Sequence, residues 1–188
     1  MRVLGIDPGL TRCGYAVLEA HGTRTVRALS MGVLRTPPSS PLPQRLAELK
    51  GELAALIAEF APNAVAVEQV FFQVNVRTAM SVGQASGLAL AEAAAAGCDV
   101  VQYTPNQVKN AVAGWGGADK AQVQKMVQAR LGLTVVPEPP DAADAAALAL
   151  CHLAMAPMAA QVAAQQARQS AQVAAAQAAT AATAPTGR

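Results

Sequence analysis

Four acidic residues stand where acids are uncommon. Asp7 closes the apolar run Val3-Leu4-Gly5-Ile6 and is followed at once by Pro8-Gly9. Glu68 ends a second apolar run, in AVAVEQV. Asp141 and Asp144 lie three apart in PPDAADAAALAL, on one side of a predicted helix start. Short apolar runs of this kind read as buried strands. A carboxylate at the end of a buried strand is costly unless a cation, hydrogen-bond donors or a shifted pKa accommodates it. If the two strands are neighbours, about 4.8 Å apart, Asp7 and Glu68 sit side by side. They then repel, and one protonates unless a cation lies between them. By strand alternation Asp7 shares its face with Gly5 and Glu68 with Ala66. Both neighbours are small, which predicts room above the acids for an ion and a substrate.

Each acid also has an ordinary reading. Asp141 after Pro140 fits an N-cap, and Asp144 completes a capping-box spacing. Glu68 fits a strand-end acid paired with Arg or Lys, and Asp7 before Pro-Gly fits a turn. Three coincidences are less economical than one site. Four carboxylates without a histidine cluster or a thiolate pair suit hard divalent ions, Mg²⁺ or Mn²⁺. Two such ions per site would offset the four negative charges and form the clamp used for in-line displacement at a phosphodiester.

The elements that must position these acids follow from hydrophobic spacing. Three strands open the chain, at about 2–7, 14–19 and 24–35, joined by short Gly-containing turns. TPPSSPLP (36–43) stops the third. A helix follows, with Leu42, Leu46, Leu49, Leu53, Leu56, Ile57 and Phe60 at helical spacing, ending before Pro62. A fourth strand covers 63–70, a long helix 75–96, and a fifth strand 98–104. Helices at 105–112 and 118–131 flank GWGG (114–117), and a last helix begins at Asp141. Three antiparallel strands before strands alternating with helices predict an α/β fold, a mixed five-stranded sheet with helices on both faces.

Of the 188 residues, 53% are apolar and only 3% aromatic, so Leu, Val and Ala must fill the core. From Pro157 the chain turns to Ala and Gln with no acids. We expect a domain over 1–156 and a low-complexity tail over 157–188, weakly helical or disordered, because methyl groups alone bury too little to offset chain entropy. The formal net charge is +2; apart from Arg168 and Arg188 in the tail, twelve bases face twelve acids. Nucleic-acid binding would therefore need a local basic patch or bound metal. Cys13, Cys98 and Cys151 are far apart and read as reduced thiols of a cytoplasmic protein. No signal-peptide pattern or membrane span is expected.

Five motifs taken in order, GIDPG (5–9), VEQVF (67–71), QVKNAVAG (107–114), ADKAQVQ (118–124) and DAADA (141–145), resemble the RuvC family of Holliday-junction resolvases. The resemblance runs from the first residues to about 156. It implies a ribonuclease-H-like fold, a homodimer, and metal-dependent paired nicking of four-way junction DNA that leaves 5′-phosphates and 3′-hydroxyls. It also implies a modest preference around a TT step and work beside the RuvA–RuvB branch-migration complex. Carried over by position, Asp7, Glu68, Asp141 and Asp144 match the family's metal-binding acids; some members have His at the Asp141 position. Lys109 and Lys120 match basic residues near the scissile strand, and Phe71 an aromatic wedge at the junction centre. Some relatives carry basic residues where this chain has Val74 and Ser81, and Arg77 is the candidate replacement.

In the expected mechanism Asp7 bridges two metals, Glu68 and Asp141 hold one side and Asp144 the other. Of Phe71 and Phe72, the first is the better candidate to stack on an unpaired base, a contact worth ~1–3 kcal/mol. Lys109 and Lys120 would contact phosphates, and Lys120 would also steady transition-state charge. GWGG reads equally as a helix connector or as a mobile loop that carries Lys120 to DNA. Gly83 and Gly87 suggest close packing inside the fold, and His152 a structural role. Three rivals remain: a YqgF-type nuclease acting on ribosomal RNA precursors, a sugar-kinase or actin-like ATPase, for which the chain is short, and a junction-binding module without catalysis.

Overall fold

The computed structural model describes the backbone of residues 1–22, 25–70 and 76–182, and their side chains except 76–78, 158–160, 162–164, 167 and 171–182. The opening strands are β1 (Arg2–Asp7), β2 (Arg12–His21) and β3 (Thr25–Arg35). Then come α1 (Leu42–Phe60), β4 (Ala64–Glu68), α2 (Val76–Ala95) and β5 (Asp99–Tyr103). α3 (Pro105–Ala113), α4 (Lys120–Leu131) and α5 (Pro140–Ala182) complete the order. β2 outruns its expected 14–19 at both ends because it pairs with β1 on one side and β3 on the other.

The strands form one sheet in the order β3-β2-β1-β4-β5. β2 is antiparallel to β1 and β3, while β4 is parallel to β1 and β5. This is the predicted mixed five-stranded sheet. Strand alternation sends the two halves of each apolar run to opposite faces. Leu4, Ile6, Val65 and Val67 pack with Leu49, Leu53 and Ile57 of α1 and Ala85, Ala89 and Ala93 of α2. Val3, Ala16, Leu18 and Ala66 pack with Val108 and Val112 of α3, Val123 and Val127 of α4 and residues 145–151 of α5.

Local chemistry sets the helix ends. Thr104 with Gln107, and Asp119 with Gln122, make reciprocal capping boxes on α3 and α4. Gly114 and Gly132 end those helices in the left-handed conformation, at φ 86° and 62°. α1 ends at Ala61, whose N–H returns to the Ile57 carbonyl just before Pro62. The chain divides into two compact units, Met1–Leu153 and Ala154–Arg188. In the second, α5 stays helical to Ala182 with Pro157 inside it. Among the described residues no helix is long and apolar enough to cross a membrane.

α5 lies directly on β1 and β2. A Cβ on Gly5 would come 2.0 Å from the Ala145 carbonyl oxygen, and one on Gly14 2.1 Å from that of Asp141. The small residue beside Asp7 thus admits a helix backbone; the space above Gly5 is not left for an ion. A second expectation also changes. Cβ atoms built on Gly83 and Gly87 meet nothing within 4 Å, so this face of α2 is open and does not pack inside the fold. His152 has the expected structural place, buried with its Nδ1 2.9 Å from the Tyr103 hydroxyl.

Gly5→Ala should therefore cost about 2–4 kcal/mol in denaturant unfolding, because backbone must move. Gly87→Ala should be neutral or stabilise by up to about 1 kcal/mol through helix propensity. Equal effects at the two sites would show that α5 is not seated on β1.

Candidate active site

Parallel pairing sets Ile6 level with Val67, so the next residues, Asp7 and Glu68, emerge together at one end of the sheet. α5 adds Asp144. These three acids line a cavity of about 330 Å³ with Lys109 of α3 and Lys120 of α4. Its remaining wall is mostly apolar, from α3, α4 and α5.

The acids perturb one another. Burial first, then the charges of Glu68, Asp144 and Asp141, push Asp7 up from 3.8 to about 7, with Lys120 opposing. Glu68 also rises, through burial and Asp144, offset by a hydrogen bond with Asp7 and by Lys120. The bond from Asp7 works to lower Glu68, so the rise at Glu68 comes from burial and the Asp144 charge, which outweigh it. Lys120 Nζ lies 2.6 Å from Asp144 Oδ2, and that bond raises the lysine pKa.

Asp141 stands apart from the cavity-lining set. Its Oδ2 accepts from Arg12 Nε at 3.1 Å and from the Arg12 Nη2. Burial works to raise its pKa, but the Arg12 bond and its own backbone amide bring it below the usual value. α5 begins at Pro140, so Asp141 lies inside the first turn. Neither acid serves mainly as a cap: Asp141 is committed to Arg12 and Asp144 to Lys120. The structure therefore groups Asp144, rather than Asp141, with Asp7 and Glu68.

Lys120 is the first residue of α4, behind the Asp119–Gln122 capping box, so a capped helix and not the glycine segment holds it. In that segment Gly117 lies under the Trp115 indole, where a Cβ would come within 2.2 Å of the ring; Trp115 itself is exposed. Phe71, Phe72 and Val74 lie outside the described residues. Arg77 falls in the first turn of α2, its side chain likewise outside them; Ser81 is half-buried on the same helix. Arg12 is the residue that sequence reasoning missed. Its partner is 129 positions away, and an arginine opening a strand carries no signal of its own.

Four carboxylates suit a hard divalent ion by their donor chemistry, and Asp7, crowded by acids, most needs a cation. Among the described residues no three acids stand closely enough to hold an ion as they are. Arg12 and Lys120 draw Asp141 and Asp144 to themselves. The residues fit such an ion if those two ion pairs exchange.

Comparison with known proteins shows the family and the fold. The family model described as "Crossover junction endodeoxyribonuclease RuvC" matches residues 3–152. The protein of that name from Chloroflexus aggregans is 51% identical over 141 residues, 75% of this chain and 85% of the relative. That from Salinispora arenicola is 52% identical, covering 75% and 81%. The solved structure of Thermus thermophilus RuvC in complex with a Holliday junction substrate matches with TM-score 0.81 and 41% identity, over 85% of this chain and 96% of that one. The yeast mitochondrial resolvase Ydc2, at 16% identity and TM-score 0.61, shares the fold, which is ribonuclease-H-like.

A raised Asp7 pKa means that the unfolded chain releases this proton near pH 4 while the folded chain keeps it to about 7. With chelator present, stability should fall by up to about 4 kcal/mol as pH rises from about 4 to about 7, then level off. Asp7→Asn should flatten that fall in denaturant unfolding. Mg²⁺ or Mn²⁺ should restabilise the wild-type chain near neutral pH and leave Asp7→Asn nearly unchanged. Identical pH slopes for the two chains would remove Asp7 from the centre of the site.

Proposed function

The chain belongs to the RuvC family of crossover junction endodeoxyribonucleases, and on that premise we propose that it resolves Holliday junctions by paired hydrolytic nicks at Asp7, Glu68, Asp144 and Asp141. The observation that carries this reading is the cavity in which Asp7, Glu68 and Asp144 meet Lys109 and Lys120. Acids beside bases in one cleft suit a phosphodiester: the acids hold divalent cations and the bases hold phosphate.

Asp7, Glu68 and Asp144 would hold Mg²⁺ or Mn²⁺, two ions per site, with Asp141 joining as Arg12 lets it go. Bound there, such ions supply a water of lowered pKa and a counter-charge for the departing 3′-oxygen. Asp7 gives up the proton that it holds in the free protein. Lys120, freed from Asp144, keeps its ammonium at the cavity mouth and meets charge that builds on the non-bridging oxygens. Lys109, one helix away, holds the same strand, and the apolar wall limits stray water. Products carry 5′-phosphates and 3′-hydroxyls.

Paired cuts need two such sites about a twofold axis, hence a homodimer. The open face of α2 at Gly83 and Gly87, with Met80 60% exposed nearby, supports a close contact between copies. A RuvA–RuvB branch-migration complex as partner and a cytoplasmic setting belong to the same proposal.

A synthetic mobile four-way junction, a linear duplex and a structured RNA, each with Mg²⁺, Mn²⁺ or chelator, test this reading. Only the junction should be cut, symmetrically, and chelator or Asp7→Asn should stop cutting while junction binding persists. Cutting of the RNA instead would favour a ribosomal-RNA nuclease; binding without cutting in either metal would leave a junction-binding module. Lys120→Gln should slow single-turnover cleavage by on the order of 100-fold with junction affinity changed only a few-fold. A loss confined to affinity would make Lys120 a binding residue alone.

A further inference from the structure

The sheet treats its arginines differently at its two ends. At the end far from Asp7, Arg2 of β1 and Arg27 of β3 both pair in register with Glu19 of β2. Arg2 also bonds that carboxylate at 2.9 Å. Opposite charges alternate across three strands, as cross-strand neighbours should. At the Asp7 end the rule is broken. Arg12 of β2 is in register with Arg35 of β3. Residues directly opposed on antiparallel strands project on the same face, about 4.5–5.5 Å apart, where like charges destabilise.

Little nearby relieves the repulsion. Arg12 gives Nε and Nη2 to Asp141. Arg35 is exposed and has no acid partner among the described residues. Arg45 of α1 reaches the same corner, where its guanidinium bonds the Thr36 hydroxyl at 2.9 Å and the Thr11 hydroxyl at 2.7 Å. Three guanidinium groups thus gather at one corner, and among the described residues only Arg12 of the three is ion-paired to a carboxylate, in a chain whose body has balanced charge. Broken local rules of this kind gather at functional surfaces, and unpaired guanidinium donors match phosphate oxygens.

We propose that Arg12 and Arg35 form a clamp for the phosphate backbone of junction DNA on the β2–β3 side of the acids, across from Lys109 and Lys120. This inference rests on the nuclease reading and extends it to a grip on DNA that does not involve the region of Val74 and Ser81. β3 lies two strands from β1, about 10 Å, or about three nucleotide rises of 3.4 Å. Arg35 therefore reaches phosphates a few steps from the scissile one, and Arg12 one nearer to it. Arg12 exchanges Asp141 for phosphate as DNA seats.

The test is equilibrium binding of a synthetic four-way junction in chelator, by fluorescence anisotropy, across about 50–200 mM salt. Wild-type chain, Arg35→Gln and Arg27→Gln are compared, the last removing the same charge from the far end of β3. Arg35→Gln should weaken binding on the order of tenfold and flatten the salt slope by about 0.9 for each phosphate that the variant leaves unneutralised. Arg27→Gln should change neither. The free Arg35→Gln protein should melt no lower than wild type, since a like-charge pair has been relieved. Arg35→Gln indistinguishable from Arg27→Gln in affinity and slope, with wild type binding normally, would overturn the clamp and leave the nuclease reading intact. A melting temperature that falls with affinity would also overturn it, by making Arg35 structural. A wild-type chain that fails to hold the junction would overturn the nuclease reading and the clamp with it.

Discussion

The contact on which the site depends is between backbones. The α5 carbonyls of Ala145 and Asp141 sit where Gly5 and Gly14 would otherwise carry a Cβ. Any side chain there would lift the helix and take Asp141 and Asp144 away from Asp7. The helix meets the sheet at Asp141, Ala145 and Ala149, and Ala142, Ala143, Ala146 and Ala147 are buried around them. A thin alanine layer brings α5 close to the sheet and gives up the area that larger side chains would bury. The low aromatic content of the chain thus has a structural reading. One face is packed for close approach, and much of the large-side-chain packing is left to the α1 side, with Leu49, Leu53 and Ile57.

Close approach creates the electrostatic problem that the site must live with. Acids from β1, β4 and α5 crowd one end of the sheet, and Asp7 answers by holding its proton to about pH 7. Arg12 and Lys120 answer for Asp141 and Asp144. Neither answer favours the free protein strongly. Protonating a buried acid near neutral pH works against its ordinary chemistry, and both ion pairs are partly exposed and so individually weak. The free state is held together elsewhere, by the two apolar cores, and this leaves the acids available to a stronger cation.

How much of this was legible depended on whether the signal was local. Apolar runs ending in Asp7 and Glu68 located β1 and β4, and their adjacency followed from supposing one site. The helices placed at 105–112 and 118–131 lie close to α3 and α4, and the Thr104–Gln107 and Asp119–Gln122 capping boxes that fix their starts are local signals that the sequence reading did not use. Gly5 was read correctly as making room and wrongly as to what fills it, because a missing Cβ does not say whether an ion or a helix arrives. Gly83 and Gly87 failed in the same way, since spacing along a helix does not say which face is covered. Arg12 could not be found at all. Its role depends on an acid more than a hundred residues later and on the register of β2 with β3, neither of which is written near it. Phe71 and Phe72 lie outside the described residues, so the wedge remains an expectation from sequence.

The pattern common to acids and bases here is segregation. At the far end of the sheet Glu19 sits between Arg2 and Arg27, and charge is settled within the protein. At the site end, acid stands beside acid and arginine beside arginine, and among the described residues only the ion pairs Arg12–Asp141 and Lys120–Asp144 hold the two groups together. Each of those contacts occupies both a metal ligand and a phosphate ligand in the proposed reaction. A divalent cation that takes the acid frees the base, and a phosphate that takes the base frees the acid. Binding of either then favours the other, and by linkage the benefit is mutual. A phosphodiester that arrives with divalent metal satisfies both clusters at once, whereas metal alone or DNA alone leaves one of them frustrated. On that proposal, the same two ion pairs would couple the readiness of the site to the presence of both metal and phosphate.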